Sequence, residues 1–189
     1  MGSVIVITSG KGGTGKTSLT GGVGASLARL GKQVLCLDGD VGLRNLDITL
    51  GMTDAALMDF SDVMAGRCDL SRAAVPHPTV SGLHLLTAPL TLPGDFPGEA
   101  GFQALLQQAR EAYDYVLIDS PAGLGPGFRL AVCGADRAIV VAVSDPSSLR
   151  DAQRVVTQLS QLETFHVVVN RVRPRLLRRQ NTTIDDAMD

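Results

Sequence analysis

Two kinds of hydrophobic pattern alternate along this chain. Short apolar, largely β-branched runs predict strands at residues 4–8, 34–38, 83–87, 115–119, 138–143 and 165–170. Between them, apolar residues recur every three or four positions and predict helices at residues 17–30, 56–65, 99–110, 128–133 and 147–161. Strands separated by helices predict an α/β fold, with a mainly parallel sheet that helices cover on both faces.

Length, charge and cysteine content narrow the class of protein. A chain of 189 residues fits one domain, so residues 1–189 are interpreted as a single unit. The net charge of -2 offers no bulk positive charge for nucleic acid, and no nucleic-acid partner is expected. The three cysteines form no Cys-x-x-Cys pair and no targeting pattern precedes the first strand, which favours a cytoplasmic protein with reduced thiols. No apolar run reaches the roughly 18 residues of a membrane span.

Residues 10–17 match the phosphate-binding pattern G-x-x-x-x-G-K-[ST]. The match follows a predicted strand and begins a predicted helix, where backbone N–H groups and the positive helix end can hold phosphates. Lys16 is predicted to reach the β- and γ-phosphates of ATP, and the Thr17 hydroxyl to ligate Mg²⁺. The predicted nucleotide-binding residues of this loop are Gly10, Lys11, Gly12, Gly13, Thr14, Gly15, Lys16, Thr17 and Ser18.

Lys11 is a second positive charge in the same loop. Because Lys16 already serves the phosphates, an additional cation there could neutralise the transition state, as an arginine finger does. A solvated loop lysine is the alternative interpretation.

Carboxylates follow two of the predicted strands. Asp38 and Asp40 lie at the end of the second strand, at the ligand-binding edge of such a sheet, where they can face magnesium or orient the attacking water. Asp119 ends a hydrophobic strand, which is the Walker B arrangement, and is predicted to hold Mg²⁺ through a water. Surface aspartates and a helix-capping Asp119 remain the alternatives.

Several strings resemble the MinD/ParA family of deviant-Walker-A P-loop ATPases. Residues 9–17 resemble its Walker A signature, and residues 38–47, with GLRNLD, resemble the switch I region of its MinD branch. Residues 120–123 resemble switch II, and residues 148–151 resemble a stretch near the family's dimer interface. Asn170 and Arg171, with Pro174, resemble the family's NRxxP segment. The resemblance runs from residue 4 to about residue 174, and residues 52–98 carry no assignable motif.

The resemblance implies particular roles for these residues. Lys11 would cross a dimer interface to the partner's nucleotide, and Asp40 would position the hydrolytic water with Asp38 supporting it. Gly123 would offer its N–H to the γ-phosphate. The implied catalytic residues are Lys11, Lys16, Asp40 and Asp38, and the implied metal-site residues are Thr17, Asp119 and Asp40. Asn170 would contact the adenine base, and Arg171 is implied as a further nucleotide-binding residue.

The family also implies a function and partners. The protein is expected to be an Mg-dependent ATPase that dimerises with ATP, hydrolyses it to ADP and phosphate, and acts in septum placement. A MinC-like inhibitor and a MinE-like regulator are the implied partners. Family members continue with a lipid-binding amphipathic helix, so the C-terminal part is expected to be missing here. The full-length protein is therefore expected to be cytoplasmic and peripheral on the inner face of the cell membrane.

Two other classes stay open at this point. The chain could be a ParA-type partitioning ATPase, a flagellar-number regulator or an iron–sulfur carrier of the same family. The GLRNLD string argues against most ParA proteins and the lack of a Cys-x-x-Cys pair against the carriers, whereas the flagellar relative is not excluded. A nucleotide-sensing interaction module without turnover is the third hypothesis, and the intact Lys11, Lys16, Asp40 and Asp119 argue against it.

Overall fold

The computed structural model describes residues 1–172. The strands are β1 Ser3–Thr8, β2 Val34–Asp38, β3 Val75–Pro76, β4 Leu83–Leu86, β5 Tyr115–Asp119, β6 Arg137–Val143 and β7 Thr164–Asn170. The helices are α1 Lys16–Arg29, α2 Leu46–Thr49, α3 Phe60–Met64, α4 Leu70–Ala73, α5 Gly98–Ala112, α6 Pro126–Val132 and α7 Pro146–Thr157. None of these helices is both long and apolar enough to cross a bilayer.

The strands form one sheet in the order β3-β4-β2-β5-β1-β6-β7. Every neighbouring pair is parallel except β3 with β4, which is antiparallel. Strand β5 is central, with β1 on one side of it and β2, the next strand in the chain after β1, on the other. The carboxyl ends of β1, β5 and β2, which precede the predicted site residues, are therefore adjacent.

Alternate residues of the central strands pack on opposite faces of the sheet. In β1, Val4 and Val6 join a core with helices α5, α6 and α7, whereas Ile7 joins a second core with α1 and α2. Side chains of a strand point alternately to its two faces, so a strand that is apolar throughout needs cover on both sides. The predicted mainly parallel sheet with helices on both faces is confirmed.

The segment between β2 and β4 differs most from the sequence prediction. The helix predicted at residues 56–65 is only α3, because Asp59 begins it with a capping box: Asp59 accepts from the Asp62 N–H and Asp62 accepts from the Asp59 N–H. Leu57, counted into the predicted helix, is 94% exposed. Elements α2, α4 and β3 were not predicted because two to four residues are too short to show a period.

Arg110 ties three parts of the fold together. Its guanidinium makes two hydrogen bonds to Asp136, at 2.6 and 2.7 Å, and donates to the Gly134 carbonyl at 2.9 Å. Asp136 also accepts from the Val4 N–H at 2.8 Å. Burial opposes the charge on Asp136, but the hydrogen bonds from Arg110 and Val4 outweigh it and lower the pKa of the carboxyl. Helix α5, strand β1 and the start of β6 are thereby held in one arrangement.

We expect Arg110→Gln to lower the free energy of unfolding by about 2 kcal/mol, because Asp136 would keep its partly buried charge without a matched partner. Arg29→Gln, a change at an exposed arginine, should stay within about 0.5 kcal/mol of the parent protein. Urea unfolding of the three proteins measures both values. Equal effects of the two substitutions would contradict this role for Arg110.

Candidate active site

The loop between β1 and α1 borders a cavity of about 510 Å³ at the carboxyl edge of the sheet. That volume lies within the range of ordinary small-molecule sites. Among the predicted site residues, those that line it are Gly12, Gly13, Thr14, Gly15, Lys16, Thr17, Ser18, Asp40 and Arg171. The predicted site residues that do not line the cavity are Gly10, Lys11, Asp38, Asp119, Gly123 and Asn170. Pro174 of the resembling segment lies outside the described residues.

Neighbouring elements hold this loop closely at two glycines. A Cβ added at Gly10 would lie 2.5 Å from the backbone carbon of Asp151 in α7, so a side chain does not fit there. Gly15 has a φ of +93° just before α1, and a Cβ there would overlap the Asn170 side-chain amide. The loop is therefore fixed from α7 on one side and from the end of β7 on the other.

Lys16 and Asp119 form an ion pair at the base of the loop. The Lys16 Nζ lies 3.1 Å from the Asp119 Oδ1, and their side chains are only 9% and 2% exposed. Pairing of β1 with β5 sets this contact, since Ile7 is the register partner of Asp119. The Thr20 Oγ1 lies 3.3 Å from the same carboxylate oxygen. The structure thus brings together the lysine predicted for phosphate and the aspartate predicted for the metal.

Asp38 anchors the segment that follows β2. Its two oxygens accept from the Asp40 N–H at 2.9 Å and the Leu46 N–H at 3.0 Å. Burial raises the pKa of Asp38 from 3.8 to about 6, although these two hydrogen bonds lower it in part and the nearby Asp119 adds to the rise. Asp38 therefore shapes residues 40–46 and does not itself line the cavity.

Asp40 reaches the cavity wall from this segment. Burial raises the pKa of Asp40, and the positive charge of Lys16 opposes the rise. A carboxylate on the wall beside the phosphate loop is placed to accept a hydrogen bond from a water. Sequence reasoning chose this residue from its position after β2, and the structure places it on the cavity wall. Its role toward the hydrolytic water stays a prediction.

Lys11 turns away from the cavity in this structure. Its Nζ contacts both Asp145 oxygens, at 3.0 and 2.9 Å, and the Ser147 Oγ at 3.0 Å. Asp145 also caps α7 by accepting from the Ser148 N–H. The hydrogen bond from Ser147, followed by that from Lys11, lowers the pKa of Asp145 to about 2. Sequence reasoning missed Asp145, although an Asp-Pro pair before a helical period is a typical helix start.

Asn170 and Gly123 also make contacts with the loop. The Asn170 Nδ2 donates to the Thr14 carbonyl at 2.9 Å, and its Oδ1 accepts from the Arg171 N–H. The Gly123 N–H donates to the Ser9 carbonyl at 3.0 Å. These contacts support the loop from behind. A role of Asn170 at the adenine base, or of Gly123 at the γ-phosphate, stays a prediction. Either role would require these hydrogen bonds to the loop to be replaced by hydrogen bonds to the nucleotide.

The residues present fit a nucleotide with magnesium. A Cβ built at Gly12 or Gly13 meets no heavy atom within 4 Å, so the loop leaves space above its backbone. Within residues 1–172, no cluster of three or more His, Cys, Asp or Glu could hold a metal alone. Magnesium commonly takes one or two protein ligands together with substrate phosphates, so Thr17, Asp40 and Asp119 beside a phosphate loop suit it.

Comparisons with known proteins decide the family. A family model described as an AAA domain matches residues 2–171. The septum site-determining protein MinD of Synechocystis sp. is 40% identical over 192 residues, which cover 100% of this chain and 72% of that protein. This chain belongs to the MinD family. The resemblance stated from the sequence, including its MinD branch and its P-loop ATPase class, is confirmed.

Two solved MinD structures extend the comparison to the fold. The MinC:MinD cell division protein complex of Aquifex aeolicus superimposes with a TM-score of 0.90 at 40% identity, covering 99% of this chain and 76% of that one. MinD from Pyrococcus horikoshii, complexed with Mg-ADP, gives a TM-score of 0.79 at 29% identity, covering 95% of this chain and 77% of that one. The sheet described above is therefore the MinD fold.

Asp38→Asn should remove a pH dependence of stability. Between pH 3.8 and about 6 the native state keeps a proton on Asp38 that the unfolded chain releases, so raising the pH destabilises the parent protein. Relative to Asp38→Asn, the parent should lose at most about 3 kcal/mol across that window.

Urea unfolding of both proteins at a series of pH values measures the difference. The exposed change Asp54→Asn serves as the control and should show no such trend. A difference between parent and Asp38→Asn that does not vary with pH would contradict the raised pKa of Asp38.

Proposed function

We propose that this protein is an Mg-dependent ATPase that switches between monomer and dimer in the placement of the division septum. The observation that carries the proposal is the Lys16–Asp119 pair at the base of a phosphate loop, with Asp40 on the wall of the same cavity. The MinC:MinD complex among its structural neighbours supports a MinC-like partner. A MinE-like activator and attachment to the inner face of the membrane belong to the same proposal, on family membership alone.

Hydrolysis would use the residues in fixed roles. Lys16 leaves Asp119 and donates to the β- and γ-phosphate oxygens of ATP. Asp40 accepts a hydrogen bond from the attacking water and orients it toward the γ-phosphorus. When bound, Mg²⁺ would neutralise charge on the phosphates, and the Thr17 hydroxyl, Asp119 and Asp40 would hold it. Among residues 1–172, Arg171 is the arginine that lines the cavity.

Dimerisation would supply a further cation, in addition to Lys16 and Arg171, from a second copy of the chain. Lys11 of one protomer would reach the partner's nucleotide, and to do so its ammonium must leave Asp145 and Ser147. Both members of the Lys11–Asp145 pair are about a third or more exposed, at 34% and 44%. An ion pair of that exposure is worth at most about 1 kcal/mol, so ATP binding energy can break it.

The oligomeric state with nucleotide tests this function. With Asp40→Ala stalling hydrolysis, light scattering should show a dimer in Mg-ATP and a monomer in Mg-ADP. Adding Lys11→Ala should abolish the dimer, because no lysine then crosses the interface. Phosphate release by the parent protein, lost on removing Mg²⁺ with EDTA, completes the test. A monomer under all conditions despite measured ATP binding would overturn the switch and favour a nucleotide-sensing module.

Asp145→Asn should favour the dimer. Asparagine keeps the capping acceptor of α7 but removes the charge that holds Lys11, so the ATP concentration for half-dimerisation should fall by up to about fivefold. Asp69→Asn makes the same change at the start of α4 and should leave that concentration unchanged. Mass measurements across an ATP titration, in the Asp40→Ala background, give both values. A rise in the required ATP would contradict a restraining role for Asp145.

A further inference from the structure

Thr20 lies one turn after Lys16 in α1, fully buried beside the ion pair. Its Oγ1 is 3.1 Å from the Lys16 carbonyl oxygen and 3.3 Å from the Asp119 Oδ1. A threonine hydroxyl has one proton to donate, so only one of these two acceptors can receive it at a time. Thr20 therefore has two alternative hydrogen bonds, one within its own helix and one to the carboxylate.

The same back-bond to the carbonyl four residues earlier occurs elsewhere in this chain. The Thr49 Oγ1 donates to the Asn45 carbonyl and the Thr157 Oγ1 to the Gln153 carbonyl, both at exposed positions. Such bonds are common for threonine in helices and need no functional explanation. Thr20 differs from these two because a buried carboxylate lies within reach of its hydroxyl.

The Asp119 carboxylate would be stabilised by the hydrogen bond from Thr20 once Lys16 moves away. Its Oδ1 accepts a hydrogen bond from the Lys16 ammonium at 3.1 Å, and its side chain is only 2% exposed. Under the proposed function, Lys16 moves to the phosphates, and the Oδ1 loses a charged donor that water cannot readily replace. Leaving a buried carboxylate oxygen without a hydrogen-bond donor costs free energy. Donation from the Thr20 hydroxyl, already 3.3 Å away, would remove that cost.

We propose that Thr20 is a positioning residue for the magnesium site, transferring its hydrogen bond from the Lys16 carbonyl to the Asp119 Oδ1 when Lys16 engages the nucleotide. The bond fixes the Oδ1 and leaves the other carboxylate oxygen to face the metal's hydration shell. The inference rests on the proposed function, since it requires nucleotide and metal to bind at this loop. It assigns to Thr20 a role in metal affinity and none in direct contact with the nucleotide.

The test compares metal affinity with metal-free nucleotide affinity. Mn²⁺ is titrated into the ADP complex and followed by electron paramagnetic resonance, and ADP binding is measured separately in EDTA. Thr20→Val, which keeps the branched shape and removes the hydroxyl, should weaken Mn²⁺ binding by on the order of tenfold. Its ADP affinity in EDTA should stay within about twofold of the parent, because the phosphate loop is unchanged.

Two matched variants separate positioning from packing. Thr20→Ser retains the hydroxyl and should restore Mn²⁺ affinity, whereas Thr157→Val removes an equivalent back-bond far along the chain in α7 and should behave as the parent. Should Thr20→Val not fold, Thr20→Ala replaces it and should weaken Mn²⁺ binding in the same way. The melting temperature without nucleotide reports on the fold of each variant.

Two results would overturn the inference while leaving the proposed function intact. One is unchanged Mn²⁺ affinity in both Thr20→Val and Thr20→Ala. The other is an equal loss of ADP affinity with and without metal, which would show that Thr20 only supports the shape of the loop. A parent protein that binds no ADP at all would instead overturn the proposed function, and this inference with it.

Discussion

The buried ion pair between Lys16 and Asp119 is the contact on which the rest of the site depends. It joins the first turn of α1 to the end of β5 across the center of the sheet. Each charge is removed from water and stabilised mainly by the other, so neither side chain can move without a replacement partner. A pair of this kind adds little net stability, but it makes departure of the lysine energetically demanding. Phosphate oxygens are strong enough acceptors to meet that demand.

The strand order explains why the chemistry converges on this pair. Asp38 and Asp119 are register partners on β2 and β5, and Ile7 of β1 pairs with Asp119 from the other side. Three adjacent parallel strands thus bring the phosphate loop, the Asp119 carboxylate proposed for the metal, and Asp38, which anchors residues 40–46, to one edge of the sheet. Parallel strands require crossover helices, and α1 is both the crossover from β1 to β2 and the carrier of Lys16. The same helix therefore connects the parallel strands and positions the lysine of the site.

The sequence predicted most of the sheet and of the site because the hydrophobic periodicity of the strands and the residue types at their carboxyl ends indicated the same fold. Six strands and the longer helices α1, α5, α6 and α7 were found with ends shifted by a few residues, since each is long enough to show its period. Within residues 52–98, β4 was predicted, whereas the short elements before it were predicted poorly because they are set by side-chain capping and by contacts with β4. The partners of Lys11 and Asp119, Asp145 and Thr20, are distant in sequence, and only the packed sheet shows them.

The two-residue strand β3 has a consequence for how this protein behaves among its own copies. It is antiparallel to β4, stands at the outer end of the strand order and includes Pro76. Proline has no N–H to offer an incoming strand, and a ribbon so short gives little length for pairing. A sheet end of this form is a poor template for edge-to-edge aggregation. Self-association at this end of the sheet is thereby disfavoured, which leaves specific contacts elsewhere on the surface to govern assembly.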